Sequence, residues 1–164
     1  MTSSDIVITR LGLRFLSRQI PCMIGRSGIT SHKNEGDSAT PRGIHSITGF
    51  FYRPDRVSRP SSLFVPIRPR DLWSDDVSDP SYNLMVQAPH EYRCERLTRS
   101  DPLYDVLIVI NWNWPIAISG KGSAIFLHQW RRCCYPTEGC IAVRRDHLIW
   151  IARRVCKNTH FIIN

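Results

Sequence analysis

The sequence lacks the long apolar runs, the export signal and the cysteine spacing that mark several large classes of protein. Its longest apolar run, Val106 to Ile110, is far shorter than the roughly 20 residues that a membrane-spanning helix needs. Met1 to Arg10 has neither the basic start nor the apolar core of a secretory signal, so a cytoplasmic chain with free thiols is expected. No CxxC pair or HxxxH spacing indicates zinc, and we expect no metal and no cofactor.

Acidic residues are also few. The 164 residues include 14 Asp and Glu against 22 Lys and Arg, which leaves a formal charge of +8. Such an excess favours anionic partners, namely nucleic acid, a membrane surface or an acidic polymer. The basic residues form only short clusters, however, and no DNA- or RNA-binding signature is present. We therefore expect no nucleic-acid partner, and a non-catalytic basic binding module is kept as an alternative.

The sequence is rich in short extended segments. An apolar fraction of 42% is enough for a core, and the length fits one domain, residues 1–164 with a core at about 20–163. The predicted strands are 5–9, 19–24, 44–52, 83–86, 104–110, 124–128, 140–143 and 159–163.

One helix is predicted late in the chain. Leu148, Ile151 and Val155 recur at helical spacing, which indicates an amphipathic helix in the C-terminal region. The proline-rich stretch 53–80 is predicted to be a long irregular surface loop. Short strands and one helix predict a mainly β fold, a sandwich or a barrel.

Cys140 is the most informative thiol, because it follows Gly139 where a loop passes into a strand. A nucleophilic cysteine needs a nearby base and backbone N–H groups that can receive an oxyanion, and a preceding glycine lets a substrate carbonyl approach. His128 ends the preceding predicted strand, and a connection of this length can place its imidazole over the sulfur. On spacing alone, such residues are more often structural than catalytic.

Three separated motifs add to this pair. They are GDSATPRG at 36–43, GKGSAIFLH at 120–128 and TEGCIAV at 137–143. In this order they resemble the L,D-transpeptidase catalytic domain (the YkuD-like family), over about 20–163. The resemblance implies a β-rich catalytic domain of that family.

The resemblance also implies a reaction. Cys140 would be acylated by a peptidoglycan stem tetrapeptide with loss of the terminal D-Ala, and the acyl group would pass to an amine of a neighbouring stem in a 3→3 cross-link. His128 would be the general acid and base, Gly139 would supply backbone at the oxyanion site, and Thr137 matches the motif's hydroxyl position at the substrate. If water entered in place of the amine, the same residues would make an L,D-carboxypeptidase. A thiolate–imidazolium pair is the expected attacking state.

Two positions depart from the family's motif. Glu138 replaces the histidine before the glycine, and Ala142 replaces an arginine two residues after the cysteine. Arg144 or Arg132 is then the candidate that binds the substrate carboxylate. A catalytically inactive wall-binding relative is a further alternative. The family implies peptidoglycan stem peptides as partners and a place in the cell envelope or periplasm, and we expect a monomer.

Overall fold

The computed structural model describes residues 4–9 and 11–164. Within those residues the chain forms fifteen β-strands and one α-helix. In chain order they are β1 (Ile6–Thr9), β2 (Gly12–Phe15), β3 (Arg18–Ile20), β4 (Cys22–Met23), β5 (Ile29–Thr30), β6 (Thr40–Pro41), β7 (Gly43–Tyr52), β8 (Val65–Pro66), β9 (Asp71–Ser74), β10 (Met85–Gln87), β11 (Cys94–Arg96), β12 (Val106–Ile110), β13 (Phe126–Gln129), β14 (Ile141–Val143), α1 (Arg145–Ala152) and β15 (His160–Ile163). The predicted mainly β fold is confirmed. In this part of the chain no helix is long and apolar enough to cross a membrane.

Ten strands form one main sheet, whose order is β3-β2-β1-β15-β7-β12-β13-β14-β4, with β8 attached to β7. The long strand β7 pairs with β15, β12 and β8 and therefore runs through the middle of the sheet. The edge strands β3 and β4 are separated in the chain only by Pro21, and β4 also lies close to β2. The sheet therefore curls back on itself into a nearly closed barrel, as the barrel-like prediction required.

β12 shows how the main sheet is covered on both faces. All five residues of Val106–Ile110 are buried. The even-numbered residues join the core that contains α1, whereas Leu107 and Val109 join a second core on the opposite face. Side chains alternate between the faces of a strand, so an unbroken apolar run is what a strand buried on both sides requires. Each of these side chains contributes about 1.5–3 kcal/mol by leaving water.

The second core lies under a small sheet of three strands, in the order β10-β9-β11. Most of 53–80 is irregular as predicted, but the prediction is wrong at β8 and β9, which lie within that stretch. Trp73 of β9 is buried and meets Phe126 of the main sheet edge-on, with ring centroids 5.1 Å apart. A strand this short carries no periodic signal, and its packing on the main sheet decides its structure.

Candidate active site

A cavity of about 620 Å³ is lined by residues of both sheets. We call one side the main-sheet wall, which comprises residues 123–125, His128, Cys140 and Ala142. The opposite side, the small-sheet wall, comprises Asp75, residues 93–96 and Arg99.

The main-sheet wall owes its geometry to two parallel neighbouring strands, β13 and β14. Leu127 lies opposite Ile141, and His128 lies opposite Ala142. Cys140 precedes Ala142 by two residues, so the period of two along an extended chain directs it to the same face as His128. Both side chains line the cavity.

Cys140 is half-buried, and its sulfur is bound by backbone groups. The thiol donates to the carbonyl of Ala124 at 3.0 Å and accepts from the N–H of Phe126 at 3.4 Å. Burial raises the pKa of the thiol to about 12, and the nearby carboxylate of Glu95 acts in the same direction. The thiol is therefore protonated at neutral pH, in contrast to the expected thiolate.

His128 is buried, and one of its ring nitrogens has a backbone partner. Nδ1 lies 2.7 Å from the carbonyl oxygen of Gln129. Because a carbonyl can only accept, Nδ1 carries the proton and the lone pair is left on Nε2. Burial lowers the pKa of the imidazole to about 4. At rest the thiol and the imidazole are therefore both neutral. Among the described residues no hydrogen bond joins them, because the thiol donates to Ala124, and Nε2 is able to accept a proton.

The segment before Cys140 (residues 137–140, here called the Cys140 turn) is held by hydrogen bonds. The hydroxyl of Thr137 donates to the carbonyl of Cys140 at 2.5 Å and accepts from the N–H of Gly139 at 3.2 Å. Gly139 has φ +140, and a Cβ there would lie 3.0 Å from the carbonyl oxygen of Ala39. This position therefore requires glycine.

The glycine-rich loop at 36–43 supports the Cys140 turn from outside. The hydroxyl of Thr40 donates to the carbonyl of Gly139 at 2.8 Å and accepts from the N–H of Gly25 at 2.9 Å. Residues that are distant in the chain are thus joined directly behind the thiol.

Comparison with known families matches residues 11–163 to the family described as "YkuD: L,D-transpeptidase catalytic domain". The chain belongs to the L,D-transpeptidase catalytic domain family. Members of this family are acyltransferases that act on peptidoglycan. Among solved structures, an L,D-transpeptidase from Mycobacterium smegmatis is similar, with 14% identity, a TM-score of 0.43, and coverage of 93% of this chain and 52% of that chain. The chain thus spans about half the length of that protein. Comparison with curated proteins finds no significant match.

In this L,D-transpeptidase domain, Glu138 stands where the family's motif has histidine, and it joins two loops. Its carboxylate accepts from the hydroxyl of Ser38 at 2.5 Å and pairs with the guanidinium of Arg26 at 2.9 Å. Ser38 belongs to the glycine-rich loop, so Glu138 links that loop to the Cys140 turn. The side chains of the ion pair are 59% and 71% exposed, and such a pair contributes about 1 kcal/mol or less.

Arg144, the predicted carboxylate-binding residue, is not brought to the cavity. It is exposed beyond the end of β14, and its guanidinium forms two hydrogen bonds of 2.6 Å with Asp146. Arg132 is exposed as well and lies over the ring of Tyr135. Arg131 does line the cavity, and within residues 4–9 and 11–164 it forms no ion pair.

Two further cavity residues could not be found from the sequence. The ring of Tyr104 meets the ring of His128 edge-on at 5.4 Å, and its hydroxyl donates to Glu95 at 2.5 Å. Burial raises the pKa of both Tyr104 and Glu95. Glu95 lies in β11, a strand that has no periodic signal, and no spacing connects it with Cys140. Only the packing of the small sheet on the main sheet brings the carboxylate near the thiol.

Proposed function

We propose that this chain catalyses L,D-transpeptidation, with Cys140 as the nucleophile and His128 as the general acid and base. The observation that carries the proposal is that both residues line one cavity while the Nδ1–Gln129 hydrogen bond leaves the lone pair of His128 on Nε2. Both come from one chain, so we propose that a monomer is sufficient and that residues 1–164 act as a single catalytic domain.

Acylation begins from the neutral pair. As the sulfur of Cys140 attacks the carbonyl carbon of the diamino acid in a stem tetrapeptide, its proton passes to Nε2 of His128. The new carbon–sulfur bond converts the carbonyl oxygen into an oxyanion. Collapse of this intermediate breaks the bond to the terminal D-Ala, and the imidazolium gives its proton to the departing amine. Because burial disfavours both charged forms, proton transfer and attack are expected to be concerted.

Deacylation uses the same residues in reverse roles. An amine of a neighbouring stem attacks the thioester, gives its proton to His128, and releases the thiol as the new amide forms. Water in place of the amine gives hydrolysis, so the relative access of amine and water decides between transpeptidase and L,D-carboxypeptidase.

The Cys140 turn supplies the oxyanion site in this proposal. In the structure the N–H of Gly139 donates a 3.2 Å hydrogen bond to the neutral hydroxyl of Thr137. A developing oxyanion is a stronger acceptor than this hydroxyl, so the same N–H could donate to the oxyanion instead. Thr137 then acts by holding the turn, since its hydroxyl is bonded to the carbonyl of Cys140. For the terminal carboxylate of the donor stem, we propose Arg131 in place of Arg144.

Charges around the cavity support a peptide substrate over nucleic acid. The lining includes four acidic residues (Glu35, Asp75, Glu95 and Glu138) beside four arginines (Arg93, Arg96, Arg99 and Arg131). A polyanion favours a surface of one positive sign, whereas a stem peptide carries both carboxylates and an amine. The mixed lining therefore fits the peptide better.

Incubation of the purified chain with a disaccharide-tetrapeptide tests the function. We expect release of D-Ala and, by mass spectrometry, a thioester on the peptide that contains Cys140. Cys140→Ala should abolish both, whereas Cys156→Ser, a matched thiol control, should retain them.

A carbapenem should likewise form an adduct on Cys140. Unchanged D-Ala release by Cys140→Ala would refute the assigned role, and steeply salt-dependent nucleic-acid binding without D-Ala release would favour the basic binding module.

A further inference from the structure

A second group of reactive side chains lies at the small sheet, and one of its members, Cys94, lines the cavity. Asp79, His90 and Cys94 each present one atom that can bind a metal, and these three atoms lie within 4.8 Å of one another. Nε2 of His90 is 2.6 Å from a carboxylate oxygen of Asp79. None of the three takes part in the proposed acyl transfer.

The small sheet brings these residues together. Cys94, the first residue of β11, lies opposite Ser74, the last residue of β9. Asp79 follows in the turn after β9, and His90 precedes Cys94 by four residues. The turn after β9 and the segment that leads into β11 therefore meet at one corner of the small sheet.

The carboxylate of Asp79 is held in place before any ligand binds. Its side chain is only 2% exposed. One oxygen accepts from the N–H of Ser81 at 2.7 Å, and the other accepts from the hydroxyl of Ser74 at 2.5 Å. Such outer-shell hydrogen bonds are the ones that orient carboxylate ligands in metal sites.

The distances among the three atoms fit a metal site better than a catalytic Cys–His–Asp triad. In a Cys–His–Asp relay the thiol and the carboxylate bind opposite nitrogens of the imidazole, which keeps them far apart. Here the sulfur and the carboxylate oxygen are also within 4.8 Å of each other, so all three atoms lie close enough to share one ion. Ligand atoms around tetrahedral zinc are separated by about 3.3–3.8 Å, as follows from its bond lengths. Small side-chain shifts therefore suffice to admit the ion.

We propose that Asp79, His90 and Cys94 form a binding site for Zn²⁺ or a divalent cation of the same class. The donor set of one carboxylate, one imidazole and one thiolate suits zinc, and three protein ligands leave a fourth position for water or another ligand. Cys94 lines the cavity, so the ion would lie at the small-sheet wall.

The surrounding charges are mainly acidic, which favours a cation, and Arg93 offsets one of them by pairing with Asp75 at 3.2 Å. Burial raises the pKa of the Cys94 thiol, and the carboxylates of Asp79, Asp75 and Asp76 raise it further. A divalent ion among these carboxylates stabilises the thiolate, and the thiol proton is released to solvent as the sulfur–metal bond forms. The His-x-x-x-Cys spacing at 90 and 94 is the sequence signal of this site, although spacing alone does not connect it with Asp79.

Titration of the metal-free chain with Zn²⁺ and with Co²⁺ tests the site. We expect one equivalent to bind, with a near-ultraviolet thiolate-to-cobalt absorption band. Cys94→Ser should remove that band, and both Cys94→Ser and His90→Gln should weaken Zn²⁺ binding about 100-fold or more, since even outer-shell changes cost 10–100-fold. Circular dichroism checks each fold, and His90→Gln decides the question if Cys94→Ser does not fold.

Cys133 and Cys134 require a control of their own. Their sulfurs are exposed and 3.5 Å apart, and adjacent thiols can themselves hold a soft metal. The double variant Cys133→Ser/Cys134→Ser should bind Zn²⁺ as the unaltered chain does. Absence of binding in the unaltered chain, loss of binding in this double variant, a persisting cobalt band in Cys94→Ser, or unchanged affinity in His90→Gln would each overturn the proposal.

Discussion

The two walls of the cavity differ in how their polar groups are stabilised. On the main-sheet wall, Cys140 and His128 are hydrogen-bonded to backbone groups, and burial keeps both neutral. On the small-sheet wall, charged side chains pair with one another, as Asp75 does with Arg93 at 3.2 Å. The difference separates two tasks. Burial sets the protonation of the two proposed catalytic residues, and the charged wall offers groups for the proposed peptide substrate.

The largest effect is expected from His128, the proposed base on the main-sheet wall. His128→Gln removes the proton acceptor and should lower the rate of D-Ala release by about 10²–10⁴-fold, which corresponds to roughly 3–5 kcal/mol. His32→Gln, an exposed histidine, is the matched control and should leave the rate unchanged. An unaltered rate in His128→Gln would assign the base elsewhere.

The pH dependence of the free energy of unfolding tests whether the imidazole of His128 is buried and neutral. The pKa of His128 is about 4 in the folded chain, against 6.5 for an ordinary histidine. Between these values only the unfolded chain binds the proton, so the free energy of unfolding should fall by about 3 kcal/mol as pH drops from 6.5 towards 4. Urea denaturation at several pH values should show a larger loss in the unaltered chain than in His128→Gln, which keeps the contribution of buried His45, whose pKa burial also lowers. Parallel pH profiles for the two chains would contradict the buried, neutral imidazole.

A smaller effect, on the free energy of unfolding, is expected from replacing the glycine of the Cys140 turn. Gly139→Ala combines φ +140 with a Cβ 3.0 Å from the carbonyl of Ala39, and should reduce the free energy of unfolding by about 2 kcal/mol. Gly120→Ala separates the two causes, because Gly120 has φ +78 and open space around its Cβ position. It should cost about 1 kcal/mol. Equal losses in urea denaturation would show that the close approach to Ala39 is unimportant.

Substrate binding distinguishes the two candidate arginines. Arg131→Gln should raise KM for the tetrapeptide about tenfold, or about 1.4 kcal/mol, with little change in kcat, because it removes a charge from the cavity. Arg144→Gln is the matched control, since that guanidinium is paired with Asp146 away from the cavity. The opposite ranking in steady-state kinetics would restore the role predicted for Arg144 from the sequence.

The smallest effect is expected from Glu95 of the small-sheet wall on the reactivity of Cys140 on the main-sheet wall. Glu95 raises the pKa of the Cys140 thiol, so Glu95→Gln should speed alkylation of Cys140 at alkaline pH roughly two- to fivefold. Glu91→Gln, which alters an exposed residue, should not. Peptide-resolved mass spectrometry of iodoacetamide labelling measures both rates. An unchanged rate in Glu95→Gln would show that the two walls are electrically independent.

Local pattern was sufficient for part of the fold. The apolar run at 106–110 and the helical spacing of Leu148 and Ile151 each predict an element that the structure contains. β9 and β11 were not predicted, because polar and charged residues interrupt both segments (DLWS and CER), whereas the equally short β14 is wholly apolar. Their stability comes from contacts such as Trp73 on Phe126, between residues far apart in the chain.

For the site, the sequence by itself proposed Cys140, His128 and Gly139, whose roles stay predictions, and its ordered motifs were enough to indicate the family. Only the tertiary structure decided that burial keeps Cys140 and His128 neutral, that Arg131 and not Arg144 lines the cavity, and that Asp79, His90 and Cys94 lie close together. The reason is physical: residue type and spacing are local properties, whereas desolvation and charge pairing depend on which distant segments pack together.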